Sequence, residues 1–240
     1  AANAYGLANV NTVGGQDEIK SSQNTIAMPV GWELISSRDA HDRMNGEPDT
    51  GFLAGAYMRG DEIVIAYAGT TTETNRDWFD GNIPAAVGLG AAPQVVQAAQ
   101  FYLDIASANP GKAISFTGHS LGGGLASLMA VYFDRQATVF DQAFFRKSAD
   151  STLALDGVRA RLVELGYELP HQLATYVPGG VPTDEGVNPS PNRLSRQDNV
   201  ESFAIKGEVL SLLSESALNN LGNSVGWVVG KVIDAIPYLG

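Results

Sequence analysis

The sequence predicts an α/β fold in which a mostly parallel sheet is covered by helices on both faces. Short runs rich in β-branched and aromatic residues alternate along the chain with segments whose apolar residues recur at helical spacing. Near the middle, the strand-like run Ala113–Thr117 leads into Gly118–Gly122, which has the pattern G-x-S-x-G, and a helical pattern follows to Phe133. With 240 residues, of which 44% are hydrophobic, residues 1–240 are expected to form one such domain.

The composition excludes several classes of function. A net charge of −11 argues against a nucleic-acid partner, because phosphate repulsion would not be offset. The absence of cysteine excludes disulfides, thiolate metal sites and a cysteine nucleophile. No run of 18 apolar residues is present, so no segment is expected to span a bilayer. Acidity without cysteine favours a secreted protein.

The first half of the chain is predicted to contain a short helix followed by a β-hairpin. The helix is expected from Trp32 to about Met44. Gly51–Met58 and Ile63–Tyr67 have the composition of strands, and Gly60 and Asp61 between them are typical of a turn. The two strands are therefore expected to pair in an antiparallel manner and to enter a larger sheet.

The second half is predicted to alternate helices with short strands. Apolar spacing indicates a helix from Val95 to Ala106, which Asn109-Pro110-Gly111 would end. The later expected elements are, in order, a helix at 121–133, a strand at 137–140, a helix around 155–165, a long loop at 178–198, a strand at 199–205 and two helices beyond 210.

The G-x-S-x-G pattern indicates a nucleophile elbow, in which a sharp turn between strand and helix projects the side chain of Ser120. Gly118 and Gly122 suit this turn, because a larger side chain at either position would keep the strand and helix apart. The N–H group of Leu121 is expected to stabilise an oxyanion, and Thr70, after the strand Ile63–Tyr67, is a candidate second donor. The alternatives are a serine in an ordinary turn and a threonine at an ordinary strand end.

Three segments with the right order resemble the class 3 lipases: Val64–Thr70, Asp77-Trp78 and Phe116–Gly123. The resemblance implies an α/β-hydrolase fold and hydrolysis of carboxylic esters of lipids without a cofactor. It also implies that Ser120 is the nucleophile and that Thr70 and Leu121 form the oxyanion hole. The sequence departs from the family at Ala68, where those lipases usually have arginine, and this puts only local packing in doubt.

The resemblance places a lid at Asp80–Pro93. Glycines within it supply hinges, and Ile83, Val87 and Leu89 are candidates for transient contact with a membrane or lipid interface. The alternative is a surface loop with a few buried anchors.

The base that would activate Ser120 is the difficult part of the prediction. Of the three histidines, His119 should point away from the site and His41 precedes every catalytic strand, which leaves His171 as the candidate base. The resemblance implies that Glu208, after a late strand, is the acid, and four aspartates are alternatives: Asp141, Asp150, Asp156 and Asp198.

In the class 3 lipases, however, the histidine follows the acid, and no histidine follows Glu208 here. Three explanations remain open. The chain is an N-terminal fragment whose missing C-terminal segment supplies the histidine, His171 acts out of the usual order, or the domain is catalytically inactive.

The sequence therefore predicts a secreted serine esterase that acts on triacylglycerols or phospholipids, or on smaller esters if its pocket differs. No metal site is expected, since the histidine at 41 and its neighbouring aspartates resemble a solvated charge cluster. The alternative function is a catalytically inactive hydrolase-fold module for binding or adhesion.

Overall fold

The computed structural model describes residues 28–39, 50, 52–69, 93–143, 145–183 and 186–204. The strands are β1 (Glu33–Asp39), β2 (Leu53–Arg59), β3 (Glu62–Tyr67), β4 (Ala113–His119), β5 (Ala137–Phe140), β6 (Gly180–Thr183), β7 (Gly186–Pro189) and β8 (Val200–Phe203). The helices are α1 (Pro93–Ala108), α2 (Leu121–Phe133), α3 (Arg146–Ala149), α4 (Thr152–Glu164), α5 (His171–Ala174) and α6 (Pro191–Gln197).

The central sheet of the described part of the chain has six strands in the order β1-β2-β3-β4-β5-β8. The first three pair in an antiparallel manner, and β3, β4, β5 and β8 are parallel. The turn between β2 and β3 uses Gly60, whose φ of 59° favours glycine. Because α1 and α2 connect neighbouring parallel strands, the carboxyl ends of β3, β4, β5 and β8 meet at one edge of the sheet.

Successive side chains of a strand point to opposite faces of the sheet, and this divides the core into two clusters. Ile63, Ile65 and Tyr67 of β3 lie in the larger cluster, to which the buried side chains of α1, α2 and α4 belong, whereas Ala66 lies in a smaller cluster on the opposite face. Helix α2 is buried from Gly122 to its end. A helix that is apolar all round is typical of a position at the centre of a core.

The predicted α/β fold with a mostly parallel sheet is confirmed. The hairpin is also confirmed as β2 and β3, and the predicted bounds of α2 and β5 match the structure. None of the described helices has the length and hydropathy that crossing a membrane would require. That residues 1–240 form a single domain stays a prediction.

Two element predictions are wrong. The segment expected to begin a helix at Trp32 instead forms strand β1, because its backbone pairs with β2. The expected loop at 178–198 contains β6, β7 and α6. Its glycines and prolines mark turns and a helix start rather than irregular chain, since Gly179 and Gly186 have positive φ and Pro191 begins α6.

Several other sequence predictions lie outside the described residues. They concern His41, the Asp77-Trp78 motif, the candidate lid apart from Pro93, and the two helices beyond residue 210.

Candidate active site

The predicted nucleophile lies in the turn between β4 and α2. Strand β4 ends at His119, helix α2 begins at Leu121, and Ser120 between them has φ 56° and ψ −125°. A positive φ is uncommon for a residue with a side chain and occurs preferentially where the surrounding structure enforces it, as at active sites. The serine is partly exposed. This strand, turn and helix geometry is that of a nucleophile elbow.

Two glycines allow the chain to turn this sharply. A Cβ atom on Gly118 would lie 2.2 Å from the carbonyl oxygen of Gly122, and one on Gly122 would lie 2.2 Å from the carbonyl oxygen of Tyr67. Both distances are far below van der Waals contact. The predicted reason for glycine at these two positions, close approach of strand and helix, is therefore confirmed.

The backbone of Ser120 is held by the segment that follows β5. Its N–H group donates to the carbonyl of Phe140 at 3.1 Å, and its own carbonyl accepts from the N–H of Ala143 at 2.8 Å and of Gly124 at 3.1 Å. The N–H of Asp141 in turn donates to the carbonyl of Phe203 in β8 at 2.8 Å. The elbow is thus fixed by contacts with neighbouring strands as well as by its own turn.

The first turn of α2 brings positive potential to the serine. The first N–H groups of a helix have no acceptor within the helix, and the helix dipole adds partial positive charge at this end. In α2 these groups begin with the N–H of Leu121, directly after Ser120. This arrangement can stabilise an anion that forms on a carbonyl attacked by Ser120.

The second predicted oxyanion donor, Thr70, lies outside the described residues. The chain that leads to it is described as far as Gly69. Tyr67 at the end of β3 pairs with Gly118, so the chain leaves β3 beside the elbow. The role of Thr70 stays a prediction.

The structure does not bring His171 and Ser120 together. His171 is exposed and begins α5, and the carbonyl of the next residue, Gln172, accepts from Arg196. The same guanidinium nitrogen donates to the carbonyl of Val131, near the C-terminal end of α2. At 1.5 Å per residue, this end of α2 lies roughly 15 Å from the elbow. His171 as the base stays a prediction, and this position does not support it.

The predicted acid Glu208 also lies outside the described residues, five positions beyond the end of β8. Strand β8 pairs in parallel with β5, so it ends at the same edge of the sheet as Ser120. The role of Glu208 stays a prediction. Within the described part of the chain, no group of three or more acidic, histidine or cysteine side chains is placed to hold a metal ion.

Comparisons with known proteins found a family model and a relative that match this chain. A family model described as a Tle-like phospholipase domain matches residues 16–237. The extracellular phospholipase A1 of Serratia liquefaciens is 35% identical over 114 residues, which are 47% of this chain. The chain covers 34% of the length of that relative.

Two solved structures were found to be similar to this chain over most of its length. A mutant form of MDLA from Penicillium cyclopium has a TM-score of 0.46 at 14% identity, over 91% of this chain and 72% of that one. Lipase II from Rhizopus niveus has a TM-score of 0.41 at 11% identity, over 78% of this chain and 62% of that one.

Proposed function

Because the chain belongs to the family of Tle-like phospholipase domains, we propose that it hydrolyses carboxylic ester bonds of phospholipids with Ser120 as the nucleophile. The observation that carries the assignment of Ser120 is its backbone conformation at the N-terminus of α2. A hydroxyl at such a turn can reach a substrate carbonyl while the helix amides face the oxygen that becomes negative.

The proposed reaction has two stages, acylation of Ser120 and hydrolysis of the acyl-enzyme. The hydroxyl oxygen of Ser120 attacks the ester carbonyl while a base removes its proton, and a tetrahedral oxyanion forms. The N–H of Leu121 and a donor at Thr70 stabilise the oxyanion until the C–O bond to the lipid breaks. The protonated base then gives its proton to the departing oxygen, which leaves as the lipid alcohol. Water then repeats the sequence on the acyl-enzyme, which releases a fatty acid and restores Ser120.

The base in this proposal is an imidazole; the sequence prediction for it is His171, whose described position does not support that role. The site of Ser120 lies at the carboxyl edge of the sheet, where β8 also ends. Neither the segment between β3 and α1, which includes the candidate lid, nor the segment from the end of β8 to Gly240 contains a histidine. The sequence prediction for the acid is Glu208, and Asp141 is a second carboxylate at the same edge.

The relatives support the proposed substrate and location. The family description names phospholipases, and the relative from Serratia is named as extracellular. We therefore favour phospholipids over triacylglycerols and a protein secreted to act at a lipid interface. The net charge of −11 gives no basis for a nucleic-acid partner.

A fluorophosphonate probe tests the nucleophile. We expect the probe to label Ser120 in the folded wild-type chain, and Ser120→Ala to lose both the label and hydrolysis of phosphatidylcholine vesicles while its thermal unfolding midpoint is retained. Triacylglycerol emulsions assayed in parallel would report the substrate class.

Two outcomes would count against the proposal. Full activity in Ser120→Ala would exclude Ser120 as the nucleophile. A folded wild-type chain that takes no label would favour the inactive binding module instead.

A further inference from the structure

Three segments of the helical layer meet near the beginnings of α4 and α6. The carboxylate of Asp150, which precedes α4, makes a two-pronged ion pair with Arg193 of α6, and its Oδ2 accepts from Nη2 at 2.9 Å. The N–H of Ser190, directly before α6, donates to the carbonyl of Gly179 at 3.1 Å. A Cβ atom on Gly179 would lie 3.3 Å from the carbonyl oxygen of Asp150. The starts of α4 and α6 and the chain before Gly179 are therefore held against one another.

Each of these three segments has an exposed aliphatic side chain close to the meeting point. Leu153 in the first turn of α4 is 61% exposed, Val177 is 53% exposed and Leu194 in α6 is 46% exposed. Each lies no more than three positions from the residue that joins its segment to the others. We call these three side chains the aliphatic patch. Scattered exposed apolar residues are ordinary, whereas clustered ones are typical of surfaces that contact a partner or a membrane.

The start of α4 lies at the end of the molecule where Ser120 lies. Helix α3 begins three residues after Ala143, whose N–H donates to the carbonyl of Ser120 at 2.8 Å, and α4 begins three residues after α3 ends. The other end of α4 is near the amino edge of the sheet, because Tyr167 donates to Asp104 at 2.9 Å near the end of α1, which leads into β4. Helix α4 therefore begins toward the carboxyl edge.

Helix α6 runs toward the same amino edge. It ends at Gln197, three residues before the first residue of β8, whose amino end lies there. At 1.5 Å per residue, the first residues of α6 lie about 10 Å further toward the carboxyl edge. The ion pair between Arg193 and Asp150 joins the beginnings of both helices, so the aliphatic patch lies at the same end of the molecule as the elbow.

Two of three charged groups near the aliphatic patch are cations. The guanidinium groups of Arg146 and Arg193 both lie near the carboxylate of Asp150. Burial lowers the pKa of Arg146, the charge of Arg193 lowers it further, and the charge of Asp150 raises it. This local excess of positive charge contrasts with the net charge of −11 of the chain. Because guanidinium groups bind phosphate oxygens well, the surface suits a partner that offers both phosphates and apolar chains.

We propose that the aliphatic patch docks the chain on a phospholipid bilayer. Leu153, Val177 and Leu194 enter the headgroup region, and the arginines beside them attract lipid phosphates. The inference rests on the proposed function, because cleavage of phospholipids needs Ser120 at a bilayer surface. Since the aliphatic patch and Ser120 lie at the same end of the molecule, docking turns the carboxyl edge of the sheet toward the substrate. The patch belongs to described helices and is separate from the candidate lid.

Vesicle binding tests the proposal without interference from hydrolysis when every protein carries Ser120→Ala. Cosedimentation with phosphatidylcholine vesicles measures the partition coefficient. Leu153→Ser together with Leu194→Ser should lower this coefficient by about tenfold or more, because each leucine contributes transfer free energy only while it is inserted. Val163→Ser together with Leu165→Ser is the matched control. These two residues are 57% and 39% exposed at the opposite end of α4, and their replacement should leave vesicle binding unchanged.

A soluble ester separates this inference from the proposed function. With Ser120 intact, the patch variant should keep the wild-type kcat/KM toward monomeric p-nitrophenyl butyrate and the wild-type unfolding midpoint, while its hydrolysis of phosphatidylcholine vesicles falls together with its binding. No vesicle binding by the parent chain, or equal binding by parent and patch variant, would overturn the docking role. A dimer of the parent chain that the patch variant loses would overturn it in favour of self-association. Absence of fluorophosphonate labelling would instead count against the proposed function, and vesicle binding would still be measurable.

Discussion

At the scale of single residues, the elbow is determined by a few short contacts. Ser120 adopts its conformation because Gly118 and Gly122 let β4, α2 and β3 approach more closely than any side chain permits. The serine and the two glycines of the turn lie within five consecutive positions, so the sequence pattern could predict it, whereas its bonds to Phe140 and Ala143 depend on the fold. The base could not be predicted in the same way, because its position depends on how distant segments return to the edge.

Gly122→Ala should damage both stability and the site. Its added methyl group would meet the carbonyl oxygen of Tyr67 at 2.2 Å, and we expect a loss of about 3 kcal/mol of unfolding free energy together with loss of fluorophosphonate labelling. Gly124→Ala is the matched control in the same turn, since its nearest contact is 3.1 Å. There, a gain in helix propensity of about 1 kcal/mol should offset mild crowding. Denaturant titration would measure both variants, and equal losses would contradict the contact argument.

At the scale of elements, pairing with a distant segment of the chain can override the structure that the local sequence pattern predicts. Glu33–Asp39 forms a strand because β2 offers a partner some 20 residues later, and nothing in the local sequence shows that partner. The prediction of a loop at 178–198 was wrong for a different reason, because the turn-forming residues there separate very short elements. The long apolar helix α2 was predictable because burial determines its composition. The short strand β5 also matched its prediction.

The C-terminal end of α2 depends on one buried arginine. Arg196 of α6 is 6% exposed, and its Nη1 donates to the carbonyls of Val131 at 3.2 Å, Tyr132 at 3.3 Å and Gln172 at 2.8 Å. Its guanidinium also lies over the ring of Tyr176. This burial lowers the pKa of Arg196. The contacts connect α2, α5 and α6 by a single charged group.

Arg196→Met should therefore destabilise the fold by about 3 kcal/mol, because it leaves buried carbonyls without their donor. Arg161→Met is the control: Arg161 pairs with Glu164 at 2.7 Å on an exposed helix surface, and its loss should cost less than about 1 kcal/mol. Urea denaturation of both variants would measure the two losses of unfolding free energy. Similar small losses would mean that other groups satisfy the carbonyls.

At the scale of the whole molecule, stability should decline at alkaline pH. Burial raises the pKa of Tyr57 to about 12, and it also raises the pKa values of Tyr67, Tyr132 and Tyr176. A phenol with a raised pKa in the folded state stays neutral there while the unfolded chain ionises above pH 10. Its stabilising contribution is therefore complete below pH 10 and is lost as the pH rises toward 12.

Tyr57→Phe isolates one part of this effect. The hydroxyl of Tyr57 is buried and has no hydrogen-bond partner in the described part of the chain, so its removal should raise the unfolding free energy at pH 7 by about 1 kcal/mol. Between pH 10 and pH 12, the unfolding free energy of the variant should fall by about 2 to 3 kcal/mol less than that of the wild type, since two pKa units correspond to this amount. Urea midpoints across this range provide the measurement, and parallel curves would contradict the assignment.

The strands of the six-stranded sheet lie side by side in the order in which they occur in the chain. During synthesis, each new strand can therefore pair with a neighbour that has already left the ribosome. Domains generally acquire structure from the N-terminus during synthesis. The bond from Asp141 to Phe203 can form only after β8 has left the exit tunnel. We therefore expect the early strands of the sheet to fold first in the nascent chain and the turn that holds Ser120 to become fixed last. Ester cleavage would then begin only when translation of this region is nearly finished.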